Sequence, residues 1–213
     1  MHQLMSFLSS KSPIRATYAL LLAMVIALAS CSDDAPPIPK PRGYPKVIYP
    51  QKAYQSFDAS YCNFTFEYPV YAEIQQDTSF FEERPAHPCW FNIYMPAFDS
   101  QLHCTYAPIT KNQTFEQLKA DAFQLMDWHK KRANAIEEIP IQRPGHVSGF
   151  AFNIDGPAAS PFQFYVSDST HHFLRGALYF NTQARPDSLA PIYAFVKEDL
   201  LKMIETLKWN DAK

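Results

Sequence analysis

The stretch "FQFYVSDSTHHFLRGALYF", residues 162–180, contains two apolar runs joined by a short polar segment. The runs 162–166 and 173–180 are rich in aromatic and aliphatic residues, as buried β-strands are. Between them, residues 167–170 are of types whose side chains bond the local backbone in turns. Strands joined by so short a loop pair antiparallel, because parallel neighbours need a long crossover. The stretch therefore predicts a β-hairpin within an antiparallel sheet.

Further strands and a helix are predicted before this hairpin. Residues 64–69 alternate between aromatic and polar, which is the period of a half-buried strand. Apolar residues then recur at helical spacing over residues 115–129, and Thr114 with Gln117 forms a capping box at the start of this helix. The remaining strand-like runs are residues 89–95, 101–107, 135–141 and 147–154.

A last helix is predicted to begin near Ser188, with Pro191 in its first turn, where a missing N–H costs little. The predicted order is thus three strands, a helix, four strands and a helix. This order predicts an α+β fold in which an antiparallel sheet carries two main helices packed on one side.

The amino terminus has the pattern of an exported lipoprotein. Lys11 and Arg15 precede an apolar run over residues 18–29, which is too short to span a bilayer as a helix and fits a signal peptide. The run ends in "LASC", residues 28–31, which matches the bacterial lipobox at all four positions. The motif predicts a diacylglycerol on the Cys31 sulfur, cleavage before Cys31, and an acyl chain such as palmitate on the new amino terminus. The alternative is an ordinary signal followed by an incidental cysteine. Several acyl chains make a stable membrane anchor.

Composition divides the chain into three segments: a lipoprotein signal peptide over 1–30, a Pro-rich tether over 31–56, and a single globular domain over 57–213. Proline fixes φ and lacks an N–H, so the tether cannot enter a helix interior or a central strand. Its second half carries several tyrosines and is expected to lie against the domain, leaving about residues 32–42 free. The prolines of the tether are Pro36, Pro37, Pro39, Pro41, Pro45 and Pro50.

Charge and motif content exclude several classes of protein. Without Lys11 and Arg15, the 19 basic residues fall to 17 against 21 acidic ones, a formal net charge of −4 for the mature chain. No polybasic stripe is present, so a nucleic-acid partner is not expected. The chain has five glycines and no phosphate-binding loop, no His-Glu-x-x-His, no Cys-x-x-Cys and no Gly-x-Ser-x-Gly. No cofactor and no metal site are predicted.

One group of residues could suggest catalysis: Ser160, Asp168, His171 and His172. Serine, aspartate and histidine form triads, but a triad is recognised by geometry and not by spacing. The two histidines are adjacent, so in a strand they would face opposite sides and could not share one metal ion. A local turn at residues 167–170 explains the aspartate and its neighbours more simply. The sequence therefore predicts no catalytic residues and a protein that is not an enzyme.

Three cysteines remain in the exported mature chain beside Cys31: Cys62, Cys89 and Cys104. Three thiols allow at most one intramolecular disulfide and leave one thiol over. A bridge between Cys62 and Cys89 is the hypothesis, and the alternative is three buried free thiols.

Several segments together carry a resemblance to a known family. They are "LASC" 28–31, "PKPRGY" 39–44, "FTFEYP" 64–69, "PCWFNIYMP" 88–96, "GPAASPFQFYVSDS" 156–169, "HFLRGALYF" 172–180 and "ETLKW" 205–209. In these segments the chain resembles the gliding motility lipoprotein family GldD of the Bacteroidota, and the likeness covers essentially the whole mature chain. It departs from the family pattern at Pro157, where asparagine is expected, and in the additional Cys104.

The resemblance implies an envelope lipoprotein needed for gliding motility and for the associated type IX secretion machinery. In this role it would act as an assembly or structural component with other gliding and secretion envelope proteins as partners. The family has no known catalytic residues to carry over. The predicted fold also resembles the Mog1/PsbP-like sandwich, in the opening "FTFEYP" 64–69, the helix in the middle of the chain and the final helix. This analogy says little about function.

The residues after Cys31 indicate the membrane to which the lipoprotein is sorted. Ser32 favours release to the outer membrane, and the run Cys31-Ser32-Asp33-Asp34 is similar to an acidic signal for export to the cell surface. We expect an outer-membrane lipoprotein, on either the periplasmic or the surface leaflet. The alternative function is a lipid-anchored small-molecule-binding module of the envelope, which would need a concavity lined by aromatic side chains and a few polar groups.

Overall fold

The computed structural model describes Tyr18 and residues 46–78 and 85–210. The chain divides into two compact units, Met1–Pro41 and Arg42–Lys213. In the first unit only Tyr18 is described, and it is helical and exposed. The predicted lipidation site Cys31 lies outside the described residues, as do residues 32–45 of the predicted tether and every residue of the predicted signal peptide except Tyr18. Among the described residues, no helix is both long enough and apolar enough to cross a bilayer.

The described part of the second unit contains ten β-strands and two α-helices. Their bounds are β1 Tyr54–Phe57, β2 Phe64–Pro69, β3 Glu73–Gln76, β4 Trp90–Met95, β5 Ser100–Pro108, α1 Phe115–Asp127, β6 Ala135–Arg143, β7 Val147–Asp155, β8 Phe162–Ser167, β9 His172–Phe180, α2 Pro186–Thr206 and β10 Lys208–Trp209. A 3-10 turn, Trp128–Lys131, continues directly from α1.

The strands form two antiparallel sheets. The larger has seven strands in the order β3-β4-β5-β9-β8-β7-β6, and the smaller has three in the order β1-β2-β10. The hairpin predicted from residues 162–180 is β8 and β9, paired from Phe162 with Leu178 to Ser167 with Phe173. The predicted α+β class with an antiparallel sheet and two main helices is confirmed.

The strand count before the first helix differs from the prediction, with five strands in place of three. β1 and β3 are four residues long and mostly exposed, so neither shows the apolar alternation that reveals a strand. β1 also begins at Tyr54, inside the predicted tether 31–56. The globular part of the chain therefore starts before residue 57, because the backbone from Tyr54 pairs with β2.

The two helices lie on opposite faces of the large sheet, whereas the sequence predicted both on one side. α1 buries Leu118, Ala122 and Met126 in a cluster with Tyr165 of β8. α2 shares the other cluster with the small sheet and with Phe164 of β8. Neighbouring residues on a strand face opposite sides, and every residue of β8 is buried. Both faces of this strand therefore need a covering layer, which one helix layer cannot supply.

The helix starts follow their local sequence. At α1 the predicted capping box is present: the Gln117 N–H donates to the Thr114 hydroxyl, and the Thr114 N–H donates to the Gln117 side chain at 2.9 Å. α2 begins at Pro186, two residues before the predicted start. Pro186 therefore takes the favoured first position, and Pro191 lies inside the helix and not in its first turn.

Candidate functional site

A cavity of about 800 Å³ lies at one end of the large sheet. It is bounded by the loop 156–161 between β7 and β8, the turn after α1, the start of β6, the end of β9 and the first turns of α2. The loop is held close to residues 132–134: a Cβ on Gly156 would lie 2.7 Å from the Asn134 nitrogen, and Gly156 has a φ of +109°. Only glycine fits this position without strain, so the loop forms a wall of defined shape.

The walls of the cavity are mainly aromatic and aliphatic. Trp128 lines it with a side chain that is 68% exposed, and Leu189 lines it from α2. Both the volume of this cavity and its mainly apolar lining are typical of sites that bind small molecules. The other apolar lining residues are Ala135, Ile154, Pro157, Ala158, Ala159, Pro161, Tyr179, Phe180, Ala184, Pro186, Ala190 and Tyr193.

A polar group on β7 fixes one side of the cavity. The Asn153 side-chain oxygen accepts hydrogen bonds from the Tyr193 hydroxyl and, at 2.9 Å, from the Lys197 ammonium. The Asn153 amide nitrogen donates to Glu137 at 3.2 Å. Burial, and after it the charge of Glu137, raises the pKa of Tyr193, so its hydroxyl stays protonated as a donor. These bonds tie α2 to the β6–β7 edge.

The remaining charged lining residues are Lys131, Arg132, Arg185 and Asp155, and His129 lies with them. Burial, and after it the charge of Arg175, lowers the pKa of His129. His129 is therefore neutral at pH 7. The cavity thus combines apolar walls with more cationic than anionic side chains.

The residues of the hypothetical triad do not come together. Ser160 is fully buried and donates its hydroxyl to the Phe162 carbonyl, 3.1 Å away, before β8 begins. Asp168 follows the last residue of β8, so the length of this strand, roughly 20 Å, separates the two. His171 is exposed beside Asp168, whereas His172 is buried and hydrogen-bonded to the Tyr106 hydroxyl at 2.7 Å. Within the described residues, no group of three potential metal ligands is found.

Asp168 organises the β8–β9 turn. One of its carboxylate oxygens accepts hydrogen bonds from the backbone N–H groups of Thr170, His171 and His172, at 2.8–3.0 Å. The Thr170 hydroxyl donates to the other oxygen at 2.9 Å. Burial by itself would raise the pKa of Asp168, but these donors outweigh it and hold the pKa well below its ordinary value. Asp168 therefore forms the local turn that the sequence predicted at residues 167–170.

This geometry predicts a pH-dependent stability. Because the folded-state pKa of Asp168 lies below the unfolded one, its stabilising effect is present above about pH 4 and is lost as the pH falls further. Asp168→Asn keeps the shape and removes the charge, so it should lower the free energy of unfolding by about 1 kcal/mol at pH 7. Urea unfolding from pH 7 to pH 2 should show this difference constant above about pH 4 and shrinking steadily below it. Asp121→Asn, an exposed change on α1, is the control and should show no such trend.

The structure joins Cys62 and Cys89 in a disulfide, with their Cα atoms 5.2 Å apart. The bond links the loop before β2 of the small sheet to the residue before β4 of the large sheet. Cys104 is a free, buried thiol on β5. Burial raises its pKa, with the charge of Arg175 opposing, so the thiol is protonated and unreactive at neutral pH.

A second polar cluster, which sequence analysis did not identify, consists of Lys52, Tyr54, Tyr71 and Asp199. The Asp199 carboxylate on α2 has no exposed side-chain surface and accepts from Lys52 at 3.0 Å, from Tyr54 at 2.7 Å and from Tyr71. Burial, then the hydrogen bond to Asp199, raises the pKa of both tyrosines, which therefore remain donors. The cluster attaches residues 52–54 to α2. The sequence contained one signal for this cluster. Asp199 is a carboxylate three residues after Val196, on the apolar stripe of the predicted helix.

The chain is similar to a known protein family and to a solved structure. Curated protein sequences gave no significant match. Among solved structures, the chain is similar to cyanobacterial PsbP (CyanoP) from Synechocystis, at 10% identity and a TM-score of 0.40, over 70% of this chain and 92% of that one. A family model, gliding motility lipoprotein GldD, matches residues 34–209, which is well over half of the chain. The chain therefore belongs to the gliding motility lipoprotein GldD family.

Proposed function

We propose that this protein is a non-enzymatic outer-membrane lipoprotein, anchored through Cys31, that acts as an assembly or structural component of the gliding and type IX secretion machinery. The observation that carries the proposal is the family match over residues 34–209, which begins three residues after the lipobox cysteine. Membership of a gliding motility lipoprotein family supports the membrane-anchored envelope location and the role in gliding. Ser32 after the cysteine supports the outer membrane.

The buried and half-buried polar side chains are already hydrogen-bonded within the fold, which supports a role without catalysis. Asp168 is engaged by the N–H groups of its own turn, and Asp199 by a lysine and two tyrosines. Ser160 donates to a local carbonyl. These side chains hold the fold together, and a carboxylate so fully hydrogen-bonded is a poor general base.

Deletion of the gene in its host, followed by complementation, tests the proposal. The deletion strain should lose colony spreading and secretion of a type IX cargo, and a wild-type copy should restore both. A Cys31→Ala copy should restore neither, because without the lipid the protein leaves the membrane. An Asp168→Ala, His171→Ala copy should restore both, because no catalytic step depends on these side chains.

Cys104→Ala is the matched control for the loss of a cysteine and should restore both activities, since Cys104 is a free core thiol. Membrane fractionation and acyl labelling report whether each copy is anchored. A deletion strain that still spreads and still secretes would refute the proposal. Acyl labelling that survives Cys31→Ala would overturn the anchor assignment.

The cavity favours a second candidate function, that of a lipid-anchored small-molecule-binding module. The aromatic concavity with a few polar groups that this function requires is present at the end of the large sheet. Retention of a hydrophobic ligand through purification would support it.

A further inference from the structure

We propose that the cavity at the end of the large sheet binds an amphiphilic anion, that is, a molecule with an apolar or aromatic body and one carboxylate or phosphate group. This inference rests on the second candidate function, ligand binding, and specifies the class of ligand. It is independent of whether the protein serves gliding.

The size and walls of the cavity suit the body of such a ligand. A volume of about 800 Å³ is in the range of sites that enclose small organic molecules. Trp128 lines it and is 68% exposed, so a large apolar surface remains in water until something covers it. Covering such a ring removes apolar area from water, which stabilises the complex by the hydrophobic effect.

The charges of the lining favour an anionic head group. Lys131, Arg132 and Arg185 all line the cavity, and the ion pairs found among the described residues include none of them. The opposing carboxylates are Glu137 and Asp155. Three cations against two anions leave an excess of positive charge.

The negative charge of one of those two carboxylates, Glu137, is already offset by a nearby lysine. Glu137 accepts from the Asn153 amide, and the Lys197 ammonium bonds the oxygen of that same amide at 2.9 Å. Lys197 is therefore a close counter-charge for Glu137. The two arginines also offer planar donor groups, which match carboxylate and phosphate oxygens.

The site is formed before any ligand binds. Gly156 packs its loop against residues 132–134, and the hydrogen bonds of Asn153 hold α2 in place. A preformed site loses little conformational freedom on binding, so the contacts of the ligand translate more fully into affinity.

Two fluorescent dyes with the same ring system test the proposal: 8-anilinonaphthalene-1-sulfonate, which is anionic, and N-phenyl-1-naphthylamine, which lacks the sulfonate. Each is titrated into the whole mature chain carrying Cys31→Ser, which removes only the lipid. Both dyes should bind. Arg132→Gln with Arg185→Gln should weaken the anionic dye about fivefold, as expected for exposed charge pairs, and the neutral dye less than about twofold.

A pair of variants on α2 locates the binding. Ala190 lines the cavity, whereas Ala194, one turn later on the same helix, is exposed and outside the lining. Ala190→Trp should fill the cavity and weaken both dyes by about tenfold or more, and Ala194→Trp should change neither. Thermal unfolding checks that the variants fold. Arg143→Gln, which removes a positive charge elsewhere, should leave the anionic dye unaffected.

Competition identifies the head group. Displacement of the anionic dye by laurate assigns a carboxylate, and displacement by dodecyl phosphate assigns a phosphate; dodecanol should displace much less. The proposal is overturned if neither dye binds, if Ala190→Trp leaves binding unchanged, if the arginine changes weaken both dyes equally, or if dodecanol competes as well as the anions. All of these readouts use purified protein, so their failure is distinct from failure of the gene-deletion test.

Discussion

Replacing Asp199 with alanine is expected to lower the free energy of unfolding by about 3 kcal/mol, because three donors lose a fully buried carboxylate and each such bond contributes about 1 kcal/mol. Lys52 would lose the carboxylate that it contacts at 3.0 Å, and Tyr54 and Tyr71 would lose their acceptor. Urea unfolding measures the change. Cleavage by trypsin after Lys52 should also become faster, because the segment that carries this lysine would no longer be held on α2.

Glu198→Ala is the matched control for this change. Glu198 is adjacent to Asp199 and also pairs with Lys52, at 2.8 Å, but its side chain is 70% exposed. A solvent-exposed pair contributes little, so the expected loss is below about 1 kcal/mol. Equal losses in the two variants would show that burial of Asp199 is not what makes the cluster stabilising.

Removal of the disulfide is expected to have a similar effect. Cys62→Ala with Cys89→Ala should lower the free energy of unfolding by about 3.5 kcal/mol, from the chain entropy of a closed loop of this length. The bond closes a sequence separation of 27 residues and joins segments next to the two different sheets. Thermal unfolding in oxidising buffer measures the loss.

Two controls distinguish the effect of losing the disulfide bond from the effect of changing the cysteine side chains. Addition of a reductant to the wild-type protein should lower its melting temperature towards that of the double variant, and should leave the double variant unchanged. Cys104→Ala removes a buried thiol that forms no disulfide and should keep the full response to reductant. A wild-type protein that melts at the same temperature with and without reductant would contradict the prediction.

The elements predicted correctly from the sequence are those whose cause is local. The capping box of α1 needs only Thr114 and Gln117, three residues apart. The β8–β9 hairpin needs two apolar runs and an aspartate whose carboxylate bonds the next N–H groups along the chain. In each case the interacting groups are close in sequence, so pattern and composition contain the information.

The features that were missed depend on packing partners that the local apolar pattern does not reveal. β1 is a strand because it pairs with β2, although three of its four residues are at least partly exposed. The placement of Lys52 depends on Asp199, which is 147 residues away. The tyrosines in the second half of the tether predicted that it lies against the domain, but no property of residues 46–56 alone indicates that its partner is Asp199 on α2.

The sequence by itself determined the α+β class, the hairpin at the centre of the large sheet and the family to which the chain belongs. These follow from local apolar periodicity and from motifs that are continuous in the chain. Only the tertiary structure decided that the helices cover opposite faces, that residues 52–54 pack on α2, and that a cavity exists at the end of the sheet. The lining of that cavity comes from segments between Trp128 and Tyr193, and which of them meet is set by how strands and helices pack in three dimensions.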